Sequence, residues 1–155
     1  MILAYLTPLL RVATGLLTVA ALAAAAPALA SGEGLAERMA HLQRHAHKLQ
    51  LSVEARNARL AGFYVHEIEE IAGAIAAEIP TYDDQPVGRL TGEILMPAVE
   101  TLEDAARAGD WEAADAALTG LIGACNACHA RTEHGYIKIV PATVNPYNQD
   151  FSPAE

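Results

Sequence analysis

"GLAERMAHLQRHAHKLQLSV", residues 34–53, decides the fold class, because apolar residues recur in it every three or four positions. This spacing places the apolar side chains along one side of an α-helix and leaves the other side polar. The apolar stripe consists of Leu35, Met39, Leu42, Ala46, Leu49 and Val53. Such a helix must bury its apolar side against other elements, so the stretch predicts one helix of a bundle.

The second and third helices are predicted from the same period, farther along the chain. Asn57 is a residue type that caps helix N-termini, and the apolar stripe that follows it ends before Pro80. The third helix is predicted to span residues 87–108. Pro97 lies inside it, and since proline lacks the backbone N–H that a helix needs, we expect a kink or a break there.

A fourth helix is predicted to follow with almost no connection. Gly109 suits the end of one helix and Asp110 the start of the next, and this next helix should continue to about Thr132. Four helices of roughly 20 residues, each about 30 Å long and joined by short connections, predict an all-α fold, an antiparallel up-down-up-down four-helix bundle.

The residues after this bundle have a different character. The segment GYIKIVPATVNPYNQDF, residues 135–151, contains two prolines and no helical period, but it is rich in aromatic and branched apolar residues. Disordered tails are typically poor in such residues. Residues 135–155 are therefore predicted to form an extended C-terminal tail that lies over the bundle, with a mobile terminus as the alternative.

The first thirty residues have the features of an export signal. Arg11 is their only charged residue, an alanine-rich apolar run follows it, and Ala28 and Ala30 provide the small residues of a cleavage site. We expect a signal peptide over residues 1–30 and a periplasmic mature chain, with an uncleaved membrane anchor as the alternative. The remaining length fits one domain, a bundle over residues 31–134 followed by the tail.

The chain after Ala30 is acidic, with nineteen Asp and Glu against nine Lys and Arg. An acidic surface without a basic cluster repels a phosphate backbone, so nucleic acid is not an expected partner. Two cysteines in an exported protein would ordinarily form a disulfide, but a bond between residues three apart closes a very short loop and stabilises little. The two thiols therefore need another explanation.

The motif CNACH, residues 125–129, contains both cysteines of the chain, followed directly by a histidine. On a helix Cys125 and Cys128 share one face, and His129 lies one turn beyond Cys125. Two thiols on neighbouring turns can bond to the two vinyl groups of one haem while the imidazole reaches the iron. C-x-x-C-H is the attachment signature of c-type haem, whose attachment requires export, in agreement with the predicted signal peptide.

Two other chemistries use paired cysteines. A structural zinc site has four ligands, and without a second cysteine pair it would need histidines from the first helix or His134. A thiol–disulfide switch is expected at the start of a helix that follows a strand, whereas CNACH lies late in a helix. The motif favours one covalently bound haem c, attached through Cys125 and Cys128, with His129 as the proximal iron ligand.

A four-helix bundle with C-x-x-C-H near the end of its last helix resembles the class II c-type cytochromes, meaning cytochrome c′ and the low-spin cytochromes c-556. The resemblance covers about residues 34–132 and is one of architecture outside CNACH. It implies a monohaem cytochrome, and the segment after Gly135 indicates a divergent subgroup with a C-terminal extension. Helical bundles of this class often pair through their first two helices, which would allow a homodimer.

The sixth iron ligand would decide what the haem does. In an antiparallel bundle the end of the fourth helix lies beside the start of the first, where Met39 is part of the apolar stripe. In the low-spin members of the class that this chain resembles, a methionine early in the first helix binds the iron. Met39 is therefore the candidate sixth ligand and His45 the alternative, while ordinary core packing is the other interpretation of Met39.

The expected function follows from these ligands. A haem with histidine and methionine ligands suits electron transfer, whereas a haem with an open sixth site can bind a small gas. We expect an electron carrier, not an enzyme, that exchanges electrons with a redox partner protein whose identity the sequence does not give. The alternatives are a cytochrome c′-like protein that binds NO or CO, and a non-haem metal-binding helical bundle.

Overall fold

The computed structural model describes residues 34–154, where the regular secondary structure is helical apart from one isolated bridge between Tyr82 and Gln85. The segments are α1 (Leu35–Glu54), α2 (Ala58–Glu78), α3 (Val87–Leu90), a π-helical turn (Thr91–Leu95), α4 (Met96–Ala108) and α5 (Trp111–Arg131). The middle three are contiguous and form one helix, called the third helix below, so this range contains four long helices and the all-α class is confirmed. None of these helices combines the length and apolar character that crossing a membrane requires. The predicted signal peptide lies outside the described residues.

Side-chain caps fix where α2 and α5 begin. The Asn57 Oδ1 atom accepts a hydrogen bond from the backbone N–H of Leu60 (3.0 Å), and the Asp110 carboxylate accepts one from that of Ala113 (3.0 Å). Each bond satisfies an N–H that the first turn leaves unpaired, which is worth about 0.5–2 kcal/mol. After α4, Gly109 has the left-handed conformation (φ 69°) that glycine adopts without strain. The predicted caps are confirmed.

The third helix accommodates Pro97 by widening the turn before it. The backbone N–H of Met96 bonds to the carbonyl of Thr91, five residues earlier. In an α-helix the proline ring would crowd the carbonyl four residues before it, that of Glu93. A π turn shifts the hydrogen-bond pattern by one residue at this point. The helix therefore continues through Pro97, and the irregularity expected there takes the form of a π turn.

The core lies between the facing sides of the helices. α1 packs mainly on α2, α2 on the third helix and the third helix on α5, while α1 also contacts α5. The largest fully buried apolar side chains are Leu49, Val53, Val65, Ile68, Ile75, Val99, Leu102 and Leu121. Burial of one such side chain contributes about 1.5–3 kcal/mol. Gly88 permits a close approach of α3 to α2, since a Cβ atom there would lie 2.8 Å from the Ala76 carbonyl oxygen.

The residues after α5 are hydrogen-bonded to the helices although residues 132–154 contain no helix. The Tyr64 hydroxyl of α2 donates to Gln149 Oε1 (2.8 Å), and Asn57 Nδ2 donates to the carbonyl of Phe151 (3.1 Å). The Phe151 side chain is buried, with only 6% of its surface exposed. Further bonds join this segment to α1 and α5.

Candidate functional site

A cavity of about 360 Å³ is lined by α1, the third helix, the end of α5 and the segment after α5. Its volume falls in the range of small-molecule and cofactor sites, about 300–1,000 Å³. The apolar part of the lining includes Leu35, Leu42, Val87, Leu95, Leu121, Ile137 and Ile139. Met39, Cys125, Cys128 and His129 line the same cavity. The structure thus brings together four side chains that the sequence had singled out in two stretches far apart along the chain.

The motif CNACH occupies the last turns of α5. Cys128 is buried, Cys125 and His129 are half-buried, and neither cysteine is in a disulfide. Positions three and four apart on a helix lie on the same side, which explains why all three side chains reach one cavity. Both thiols are therefore available on one wall, with an imidazole beside them.

The environment of the two thiols is apolar. Burial, followed by the neighbouring Cys128 thiol, raises the pKa of Cys125 to about 11, and burial also raises the pKa of Cys128. Reactive cysteines of C-x-x-C redox motifs have the opposite shift, to about 3.5–7.5. Both side chains are therefore protonated at neutral pH, and this environment does not favour a thiol–disulfide switch.

His129 is oriented by a hydrogen bond from its own ring. Its Nδ1 atom lies 2.8 Å from the carbonyl oxygen of Ile137, in the segment that follows α5. A carbonyl oxygen can only accept, so Nδ1 carries the proton and donates it. In the neutral imidazole the other nitrogen, Nε2, then has the lone pair that a metal ligand needs. The hydrogen bond therefore favours the tautomer that can bind a metal ion through Nε2.

Met39 reaches the cavity from α1. It is half-buried and packs against the core beside Leu35 and Leu42, which also line the cavity. Its thioether is a soft ligand that can bind iron, and it can also pack against apolar groups. Among the candidate sixth ligands, Met39 is the one that the structure places on the same cavity as His129.

His45 lies on another side of α1, between α1 and α2. Its ring packs against Tyr64, with 5.9 Å between centroids, and its Nε2 atom lies 4.0 Å from the Glu67 carboxylate. Its Nδ1 atom is buried and has no hydrogen-bond partner among the described residues. Burial lowers the pKa of His45 against the opposing effect of Glu67. His45 is not one of the cavity-lining residues in the described range.

Two of the histidines that a zinc site would need are hydrogen-bonded to backbone carbonyls. The Nε2 atom of His47, in α1, lies 2.9 Å from the carbonyl oxygen of Val144. The Nδ1 atom of His134 donates a hydrogen bond to the carbonyl oxygen of Thr132 (2.6 Å). Within residues 34–154, no three His, Cys, Asp or Glu side chains come together in an arrangement that could hold a metal ion.

Two residues that the sequence did not single out contact the segment near His129. They are Asn126, inside the motif, and Gln50, in α1. The side chain of each one forms hydrogen bonds with the backbone of the segment after α5. The one available signal was Asn126 itself, because asparagine is a poor helix former and is uncommon in a helix interior without a partner. Gln50 gave no signal, since glutamine is common on helix surfaces.

The sequence matches no protein-family model, and no curated protein or solved structure is significantly similar to it.

Proposed function

We propose that this chain is a monohaem c-type cytochrome that carries electrons. The observation that carries the proposal is that one largely apolar cavity is lined by both cysteines, His129 and Met39. When bound, haem c would supply a one-electron change between ferric and ferrous iron. The residues fit such a group: two thiols on one wall, an imidazole with a free Nε2, and largely apolar surroundings.

Each residue has a distinct role in this proposal. Cys125 and Cys128 would hold the haem through thioethers, the S–H of each thiol adding across one vinyl group of the porphyrin. His129 would bind the iron through Nε2 while its Nδ1–H keeps its hydrogen bond to the Ile137 carbonyl. Met39 is the sixth ligand, and it is preferred to His45 because His45 packs against α2 instead of lining the cavity.

The wider setting is part of the same proposal. The chain is an antiparallel up-down-up-down bundle of the class II cytochrome type, in a divergent subgroup whose C-terminal tail lies over the helices. It is exported with the help of residues 1–30 and works in the periplasm. Electrons pass to and from a redox partner protein, and neither substrate turnover nor nucleic-acid binding is part of its function. The class also allows a homodimer.

A haem stain on denatured protein tests the central step. Only haem held by thioether bonds stays with the unfolded chain, so the exported protein should stain, and a Cys125→Ala, Cys128→Ala double variant should not. A wild-type protein that is colourless, or that binds only zinc, would overturn the proposal in favour of a non-haem metal-binding bundle.

An optical spectrum separates the electron carrier from a gas-binding protein. Sharp ferrous bands that carbon monoxide leaves unchanged indicate a filled sixth site, as expected here. Broad high-spin bands that shift with carbon monoxide would indicate an open iron and would replace the electron-carrier function with gas binding.

A further inference from the structure

We infer that Asn126 and Gln50 are positioning residues for the iron ligand: they clamp the segment after α5 so that the Ile137 carbonyl stays on His129 Nδ1. The inference rests on the proposed haem function and adds to it the residues that set the basicity of the proximal ligand. The group that accepts the hydrogen bond from His129 is a backbone carbonyl of the C-terminal segment, not a side chain of the bundle.

The first clamp is Asn126, which lies between the two cysteines of the motif. Its Nδ2 atom donates to the carbonyl of Ile139 (2.9 Å), and its Oδ1 atom accepts from the N–H of the same residue (2.8 Å). One side-chain amide thus satisfies both backbone groups of one residue, as a neighbouring β-strand would. Ile139 is two residues from Ile137, so the clamp acts close to the carbonyl that faces His129.

The second clamp is Gln50, which repeats this arrangement from α1. Its Nε2 atom donates to the carbonyl of Ala142 (2.9 Å), and its Oε1 atom accepts from the N–H of that residue (2.8 Å). Gln50 is itself buried, and Nε2 also donates to Glu54 (2.7 Å), which fixes the amide in place. The segment is therefore tied at Ile139 to α5 and at Ala142 to α1.

The clamps matter because most of the apolar side chains near the Ile137 carbonyl are exposed. Tyr136, Ile137 and Val140 are 79%, 45% and 65% exposed. Side chains so exposed contribute little burial free energy. The position of the Ile137 carbonyl then depends largely on hydrogen bonds. The N–H of Ile137 bonds to the carbonyl of His134 (2.8 Å), and the paired amides supply four further bonds.

The consequence for the iron follows from the His129 hydrogen bond. A carbonyl that accepts from Nδ1–H makes the imidazole a more basic ligand, and a more basic ligand favours ferric over ferrous iron. Loosening the segment weakens this bond and raises the reduction potential. The residues that hold the segment therefore tune the potential without touching the haem.

The test compares Asn126→Ala, Gln50→Ala and Asn148→Ala in the full-length, haem-loaded protein. Asn148, exposed in the same segment, is the matched control. Reduction potentials come from spectroelectrochemical titration, and the His129 Nδ1 resonance from ¹⁵N NMR of the ferrous protein. Alanine is the better helix former, so neither clamp variant should unfold its helix.

We expect Asn126→Ala to raise the ferrous-to-ferric ratio at a fixed applied potential by about two- to tenfold, the factor that one hydrogen bond of ordinary strength is worth. Gln50→Ala should shift it in the same direction but less, because Ala142 is farther from Ile137. Both clamp variants should move the His129 Nδ1 resonance. Asn148→Ala should change neither this resonance nor the ferrous-to-ferric ratio.

Two results would overturn the inference. Haem-loaded clamp variants with the wild-type potential and the wild-type Nδ1 resonance would show that the clamps do not act on the ligand, as would an equal shift in Asn148→Ala. If Asn126→Ala does not take up haem, the Gln50→Ala variant alone tests the inference, because Gln50 lies outside the motif. A wild-type protein without covalent haem would instead overturn the proposed function and this inference together.

Discussion

The difference between Met39 and His45 is one of position around a single helix. Six residues separate them, and six residues turn about 240° around an α-helix, so the two side chains face different neighbours. Met39 faces the cavity and His45 faces Tyr64 and Glu67 of α2. From sequence both lie on or beside the apolar stripe, and only packing against α2 decides which of them shares a cavity with His129.

Met39→Ala tests this assignment. In the proposed cytochrome, removal of the thioether should open the sixth site, so the ferrous spectrum should become high-spin and respond to carbon monoxide. Met96→Ala is the control, because Met96 is also half-buried against the core but does not belong to the cavity lining. If the Met39 variant keeps sharp bands that carbon monoxide does not change, another group binds the iron.

The third helix combines a π turn with a close backbone contact to the end of α2. The π turn lets the helix pass through Pro97, and Gly88 lets its first turn approach the end of α2. A Cβ atom at position 88 would meet the carbonyl oxygens of Ala76 and Ile79 at 2.8 and 3.0 Å. Both contacts are with backbone, which cannot move aside as a side-chain end could.

Gly88→Ala should therefore destabilise the protein by about 1–3 kcal/mol, the usual cost of an overpacked site. Gly73→Ala is the matched change, because a Cβ there has no atom within 4 Å, and it should stabilise by up to about 1 kcal/mol through helix propensity. Urea unfolding measures both. Equal effects from the two variants would mean that the contact between α2 and α3 is looser than described.

The C-terminal segment is the other element with a testable role. Deletion of residues 141–155 removes the Ala142 clamp, the Tyr64–Gln149 hydrogen bond and the buried Phe151 ring. We expect a loss of about 2–4 kcal/mol in the free energy of unfolding, mostly from the ring, and a higher reduction potential.

Deletion of residues 153–155 is the control for this truncation, since Pro153 and Ala154 are exposed. Urea unfolding and a potentiometric titration compare the two truncated proteins with the full chain. An unchanged potential and an unchanged spectrum after the longer deletion would mean that the segment does not influence the proposed haem pocket.

For the whole molecule, most of the features that the sequence predicted depend on near neighbours along the chain, and the cavity that Met39 shares with CNACH is the exception. The caps at Asn57 and Asp110 act within three residues, and the CNACH spacing acts within one turn. The π turn and the amide clamps were not predicted. Gln50 and Ala142 are 92 residues apart, and nothing in either residue type indicates that they meet. Packing between distant segments selects these contacts.

The stability of the whole molecule should depend on pH through His45, a histidine held between α1 and α2. Burial lowers its pKa below the ordinary 6.5, and Arg44 and Lys48 act in the same direction against Glu67. Between that lowered pKa and 6.5 the unfolded chain binds a proton that the folded chain does not. Stability from this residue is therefore complete above pH 6.5 and is lost as the pH falls through this window.

His45→Gln isolates that contribution, since glutamine does not titrate. We expect wild type to lose more unfolding free energy than the variant between pH 8 and pH 5.5, measured by urea unfolding at both values. His66→Gln is the control, because the His66 side chain is 64% exposed. The same pH dependence in wild type and His45→Gln would mean that His45 protonates in the folded protein as easily as in the unfolded chain, and so that the space between α1 and α2 admits water.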